Sequence, residues 1–238
     1  MNRYMGRVGA TAVLAVWGTL GCTSANTTSG ELNQGGFSYA TVGDGRSDVA
    51  SRTLTNDYGG NNPVPVLAVG GQFNVRFVPK SGGGSEWGSD QIIPAAPGLL
   101  AREGANLVAK RPGQSAILAN DGSVVRDFVH VQVKLVDRVQ LSRVDAGVET
   151  VLGDSETITL LAGQSSVDLA ALPMSSVGEI LAGSMPYAWS IEGDPDIVTL
   201  TSKGGYQNGL SAGTKAGKVT VVVRVAGQSS SFHVEVSQ

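Results

Sequence analysis

The feature that most constrains this chain is a period-two alternation of apolar residues in short runs: Phe73-Val75-Phe77, Val129-Val131-Val133, Ile158-Leu160 and Phe232-Val234-Val236. Successive side chains of a strand point to opposite faces, so each run has one apolar face to bury and one to leave in water. Clusters of Gly, Pro, Asn and Asp at 58–63, 80–85 and 120–122 separate the runs and predict loops and turns. The one helix-sized interval, 169–181, contains Pro173 and Gly178 and has no sustained helical stripe. The expected class is all-β.

An internal repeat sharpens this expectation. Leu67-Ala-Val-Gly-Gly71, followed by the strand at 73–77, parallels Leu160-Leu-Ala-Gly-Gln164, followed by 167–172. Further on, 111–118 and the closing His130-Val-Gln-Val133 parallel 215–222 and His233-Val-Glu-Val236. The offset is about 100 residues, the size of one immunoglobulin-like sandwich. The second copy carries Trp189-Ser-Ile-Glu-Gly-Asp-Pro-Asp-Ile-Val-Thr-Leu200, then 212–221, then Phe232-His-Val-Glu-Val236. In this succession of strand, turn and closing hairpin it resembles the bacterial Ig-like domains of the Big families over most of 136–238. The resemblance implies two tandem Ig-like β-sandwiches, at 37–135 and 136–238, joined through a short linker at 134–139.

The N-terminus has a different character. Arg3 and Arg7 precede an uncharged, mostly apolar run at 8–20 of about 13 residues, short of the ~20 needed to span a bilayer, which is the shape of a signal peptide. The run ends at Thr19-Leu20-Gly21-Cys22, which resembles a lipobox, with residues 1–21 as the lipoprotein signal peptide and Cys22 as the lipidated residue. Cys22 is the chain's one cysteine, so no intrachain disulfide can account for it. Each buried methylene contributes about 0.8 kcal/mol, and the two or three acyl chains of a lipoprotein anchor durably where one chain would not. Thr23 next to the cysteine, in place of Asp, resembles lipoproteins sorted to the outer membrane. Residues 22–36 are Ser/Thr/Asn/Gly-rich with hardly an apolar side chain, and are expected to form a flexible tether.

The formal charge is −3, and removal of Arg3 and Arg7 with the leader leaves 15 basic against 20 acidic residues, or −5. The basic residues are scattered singly instead of running in a row that could neutralise phosphates, which argues against a nucleic-acid partner. His130 and His233 hold equivalent places in the two repeats, each between apolar neighbours that take the buried face, so both imidazoles should face solvent. A zinc site needs three or four converging ligands, and each repeat offers one His with scattered carboxylates. Gly-Gln-Ser at 113, 163 and 227 does not continue into a Gly-x-Ser-x-Gly elbow. Asp194 with Asp196, and Asp44 with Asp48, are spaced as turn residues, and Asp44, Asp48 and Asp57 lack the Asp-x-Asp-x-Asp-Gly pattern of a calcium loop.

Trp189 follows Tyr187 at strand spacing and is expected in the core, whereas Trp87 lies among Gly, Ser and Glu and is the candidate binding aromatic. The β-forming run 220–225 must be central or covered, with Lys218 and Arg224 as gatekeepers against edge pairing. No catalytic residue, metal site or cofactor is expected. The expected function is that of a non-enzymatic, lipid-anchored envelope protein of the outer membrane whose Ig-like domains bind protein or glycan in adhesion. The alternatives are a structural accessory subunit of an envelope complex and a hydrolase using unrecognised carboxylates.

Overall fold

The computed structural model describes residues 27–40, 66–80, 86–145, 148–153, 156–201 and 205–238. The first half supplies β1 (Thr27–Ser29), β2 (Gly35–Ala40), β3 (Leu67–Ala68), β4 (Gln72–Pro79), β5 (Ile92–Pro94), β6 (Leu100–Glu103), β7 (Asn106–Ala109), β8 (Gly113–Asp121) and β9 (Val124–Lys134). The second supplies β10 (Arg138–Asp145), β11 (Val148–Val151), β12 (Thr157–Leu161), β13 (Ser166–Met174), β14 (Tyr187–Glu192), β15 (Val198–Leu200), β16 (Gln207–Ala212), β17 (Gly217–Val225) and β18 (Gln228–Ser237). Among the described residues the helical structure is a single 3-10 turn at Ser89–Gln91, and the interval 169–181 holds the end of β13 and turns.

Each half is a two-sheet sandwich. The first pairs its strands in the orders β1-β2-β4-β7-β6 and β3-β9-β8-β5; the second in the orders β11-β10-β13-β16-β15 and β12-β18-β17-β14. The correspondence runs strand by strand, with β1 matching β11, β2 matching β10, and so on to β5 matching β14. In both halves the short strand (β3 or β12) joins the last one in parallel, while the other ladders are antiparallel. The repeat seen in the sequence is therefore a repeat of topology, and the described residues form two immunoglobulin-like sandwiches.

The alternation places the core. Phe37, Phe73, Phe77, Leu100, Ile117 and Val131 fill the space between the sheets of the first sandwich. Leu169, Leu210, Trp189, Val221, Phe232 and Val234 fill the second. Burying a side chain such as Phe232 contributes ~2 kcal/mol or more, which outweighs any local strand propensity. The run 220–225 is central as expected, since β17 lies between β14 and β18. Its cations are consequently not edge gatekeepers: Lys218 pairs with Glu235 on β18 at 3.2 Å, and Arg224 with Glu192 on β14 at 3.7 Å.

The polar stretch 22–36 is corrected by the structure. From Thr27 onward it belongs to the first sandwich, with Thr27, Thr28 and Ser29 paired to Ser38, Phe37 and Gly36. Its turn is held by Asp127 on β9, whose side chain is fully buried. One carboxylate oxygen accepts the N–H groups of Leu32 (2.8 Å) and Phe128 (2.9 Å), and the other those of Gln34 (2.8 Å) and Gly35 (3.1 Å). Four backbone donors around one carboxylate replace the water it loses, and they order a segment that has little apolar surface of its own. The space is filled, because a Cβ on Gly30 would lie 2.1 Å from the Asp127 carboxyl carbon.

The sandwiches meet in a hydrogen-bonded seam. Residues 135–137 carry β9 into β10; Val136 is buried in the second core, and the Asp137 N–H donates to Met174 O at 2.8 Å. Around this connection Ala68 N–H donates to Ala182 O (2.9 Å), and Ala182 N–H to Val66 O (2.8 Å). Gln72 and Ser184 exchange bonds of 3.0 and 2.8 Å. The cores interlock across the seam: Ala68 of the first repeat packs into the second core, and Ala182 of the second repeat into the first. Lys134 and Glu179 form an ion pair on its surface.

The Lys134 hydrogen bond is the largest influence on Glu179 and holds its carboxyl below the usual glutamate value. A depressed folded-state pKa contributes stability that is present above the unfolded value and is lost as pH falls through the folded one. Carboxyl-carbon NMR titration should therefore find Glu179 titrating below an ordinary glutamate, and Lys134→Ala should return it toward the ordinary value. An unchanged Glu179 in Lys134→Ala would show that the pair does not form.

Candidate functional site

The sequence-predicted residues do not converge. Cys22 lies outside the described residues, as do Asp44, Asp48 and Asp57. Trp87 is half-buried at the end of the first sandwich where the β1–β2 and β8–β9 turns also lie. It exchanges backbone hydrogen bonds with Phe77, and its ring packs on Phe77 at 5.2 Å between centroids. Phe77 in turn packs on Phe37 at 5.0 Å, so Trp87 is the outermost of three rings closing the core. Part of the indole remains available to a partner. Trp189 is in the core, as expected, and its indole N–H donates to Gly205 O at 2.8 Å.

The two histidines face solvent as their strand parity required. Their partners differ. His130 Nδ1 lies 2.5 Å from Glu31 Oε1, which also accepts the His130 backbone N–H at 3.0 Å, whereas His233 Nδ1 lies 3.1 Å from Thr220 Oγ1. The repeat thus keeps the position of the histidine and changes the partner of its ring, a carboxylate in the first sandwich and a hydroxyl in the second. Asp194 anchors its own turn by accepting the Asp196 N–H at 3.0 Å and pairs with Lys215. The Lys215 hydrogen bond, then that of the Asp196 N–H, holds the Asp194 carboxyl below the usual aspartate value. The three Gly-Gln-Ser segments begin β8 or occupy the β12–β13 and β17–β18 turns. Among the described residues no three His, Cys, Asp or Glu side chains group closely enough to hold a metal ion.

The second sandwich carries concave surfaces on both sheets, the larger, about 390 Å³, beside Asp168 and Asn208 and the other on the opposite sheet. Thr157, His233, Thr220 and Glu192 are cross-strand neighbours in a single row over β12, β18, β17 and β14, and with Lys218 they line an open depression of about 350 Å³. Its charges are already partnered by the Lys218–Glu235 and Glu192–Arg224 pairs, and between them the Thr157 and Thr220 hydroxyls and the His233 ring lie on a mixed polar and apolar floor that includes Val219 and Val234. Sequence reasoning missed it because its members come from four strands and share no local spacing. It also missed Asp127, for which a signal was present: Asp127 has the same parity as the buried Val129, Val131 and Val133, so a carboxylate was due to point inward.

No protein-family model and no curated protein matches the chain. Among solved structures it is similar to the Escherichia coli adhesin FdeC, at 16% identity and TM-score 0.32, over 73% of this chain and 62% of that one. It is also similar to domains 4 and 5 of the S-layer protein SbsC, at 15% identity and TM-score 0.33, over 74% and 97%. A third similarity is to a family 2 glycosyl hydrolase from Bacteroides cellulosilyticus, at 13% identity and TM-score 0.31, over 76% of this chain and 24% of the enzyme. An adhesin, a surface-layer protein and an enzyme match about equally, so these overlaps carry no argument for one activity over another.

Proposed function

We propose that this is a lipid-anchored envelope protein of the outer membrane, without enzymatic activity, whose two sandwiches form a stiff module that presents loops and sheet faces to a protein or glycan in adhesion. The observation that carries the reading is the seam: backbone hydrogen bonds on both sides of the connection at 135–137, with each core capped by an alanine of the other repeat, give the pair the stiffness of a spacer. The polar row across β12, β18, β17 and β14 offers the partner hydrogen bonds. Cys22, through its lipobox resemblance, supplies the attachment.

The test is metabolic acyl labelling of wild type and Cys22→Ala, followed by protease treatment of intact cells. The reading expects labelled, membrane-bound, protease-accessible wild type and unlabelled, released Cys22→Ala. Labelled but protected protein would favour an accessory subunit facing the periplasm, and no label would remove the anchor.

A further inference from the structure

The β8–β9 hairpin ends in a tip whose residues 121–126 are all exposed. Val124 and Val125 are 51% and 42% exposed, where the matching hairpin of the second sandwich carries Gln228 and Ser229. Leu32, 48% exposed, lies at the same end of the sandwich, since its backbone N–H is bonded to Asp127, two residues along β9 from Val125. Arg126, half-exposed and paired with Asp121 at 2.7 Å, is the cation of the tip. This end of the first sandwich, a small prong, thus exposes the aliphatic side chains of Val124, Val125 and Leu32 together with the Arg126 cation.

The length of chain before the first sandwich indicates what covers it. Thr27 is fixed in the sheet by its pairing to Ser38, so an acyl group at Cys22 is five residues away and at most about 18 Å from Thr27 even when that stretch is fully extended. The eleven residues of β9 extend for roughly 35 Å, so this reach is shorter than the sandwich itself. A first sandwich tethered so closely must rest on the lipid surface. We infer that it rests on this prong, with Val124, Val125 and Leu32 inserted among the headgroups and Arg126 at the level of the phosphates. Apolar tips with a cation nearby are suited to that zone, where aliphatic groups gain burial and a guanidinium meets phosphate. This inference depends on the anchoring proposed for Cys22.

The test uses the full-length acylated protein in phosphatidylethanolamine/phosphatidylglycerol vesicles, with the acyl mass at Cys22 verified and an environment-sensitive fluorophore on Val124→Cys or, at the opposite end of the molecule, on Thr214→Cys. The expected result is a blue-shifted emission, quenched by brominated acyl chains, for the label at 124 and neither change at 214. Acylated protein whose label at 124 stays as aqueous as the label at 214 overturns the seating while leaving the anchor in place; absence of the acyl mass overturns both. A label at 124 that is aqueous on vesicles but shielded in intact cells also overturns it, assigning the prong to a protein partner.

Discussion

Asp127→Ala is expected to detach the N-terminal hairpin from the first sandwich and to lower its stability by about 3–4 kcal/mol. The variant removes both oxygens that receive the N–H groups of Leu32, Phe128, Gln34 and Gly35, from a side chain that is fully buried. Each buried donor left without a partner costs ~1–3 kcal/mol, and water reaching the more exposed Leu32 and Gln34 offsets part of the sum. Asp127→Asn is the sharper control. It keeps the volume but turns an amide N–H₂ toward donors, so it should recover little of the loss. Urea unfolding together with hydrogen exchange at 28–38 measures both variants, and the second sandwich should exchange as in wild type. If Asp127→Ala unfolds at the wild-type midpoint, the carboxylate does not hold the turn.

Gly183→Ala is expected to break the seam and to cost about 3 kcal/mol. Gly183 has φ +116°, a backbone conformation that residues with a Cβ rarely adopt. A Cβ there would also lie 2.8 Å from the Gly71 Cα and 3.3 Å from the Gln72 nitrogen. Both neighbours are backbone and cannot rotate away, so the two sandwiches must separate. Gly88→Ala serves as the control, because Gly88 is followed by serine as Gly183 is, lies at the corresponding end of the first sandwich, and has nothing within 4 Å of a Cβ. Hydrogen exchange at Ala68, Gln72, Ala182 and Ser184 should accelerate in Gly183→Ala and not in Gly88→Ala. Slow exchange retained at all four amides in Gly183→Ala would mean the seam absorbs the methyl group.

Much of the fold was legible because burial imposes a simple pattern on strands. Phe73-Val75-Phe77 and Phe232-Val234-Val236 declared their inward faces, and the repeat of Leu67-Ala-Val-Gly-Gly71 at 160–164 revealed the matching topology of the two halves. What escaped is what side-chain periodicity does not encode. Thr27–Ser29 reads as tether because it buries almost nothing; its order comes from backbone bonds to β2 and from a carboxylate about 95 residues away. The seam was invisible for the same reason, being made of main-chain bonds between 66–72 and 182–184 and a glycine contact. Trp87 looked free among its polar neighbours, yet its pairing with Phe77 closes the first core. The polar row of Thr157, His233, Thr220 and Glu192 exists only once four strands are in register.

The central claim is that the tandem sandwiches behave as one stiff module, and backbone N–H residual dipolar couplings of residues 27–238 in a weakly aligned medium test it most directly. The account predicts that the couplings of both sandwiches fit a single alignment tensor, and that Gly183→Ala splits them into two. Two tensors of different magnitude or orientation in the wild type would contradict it.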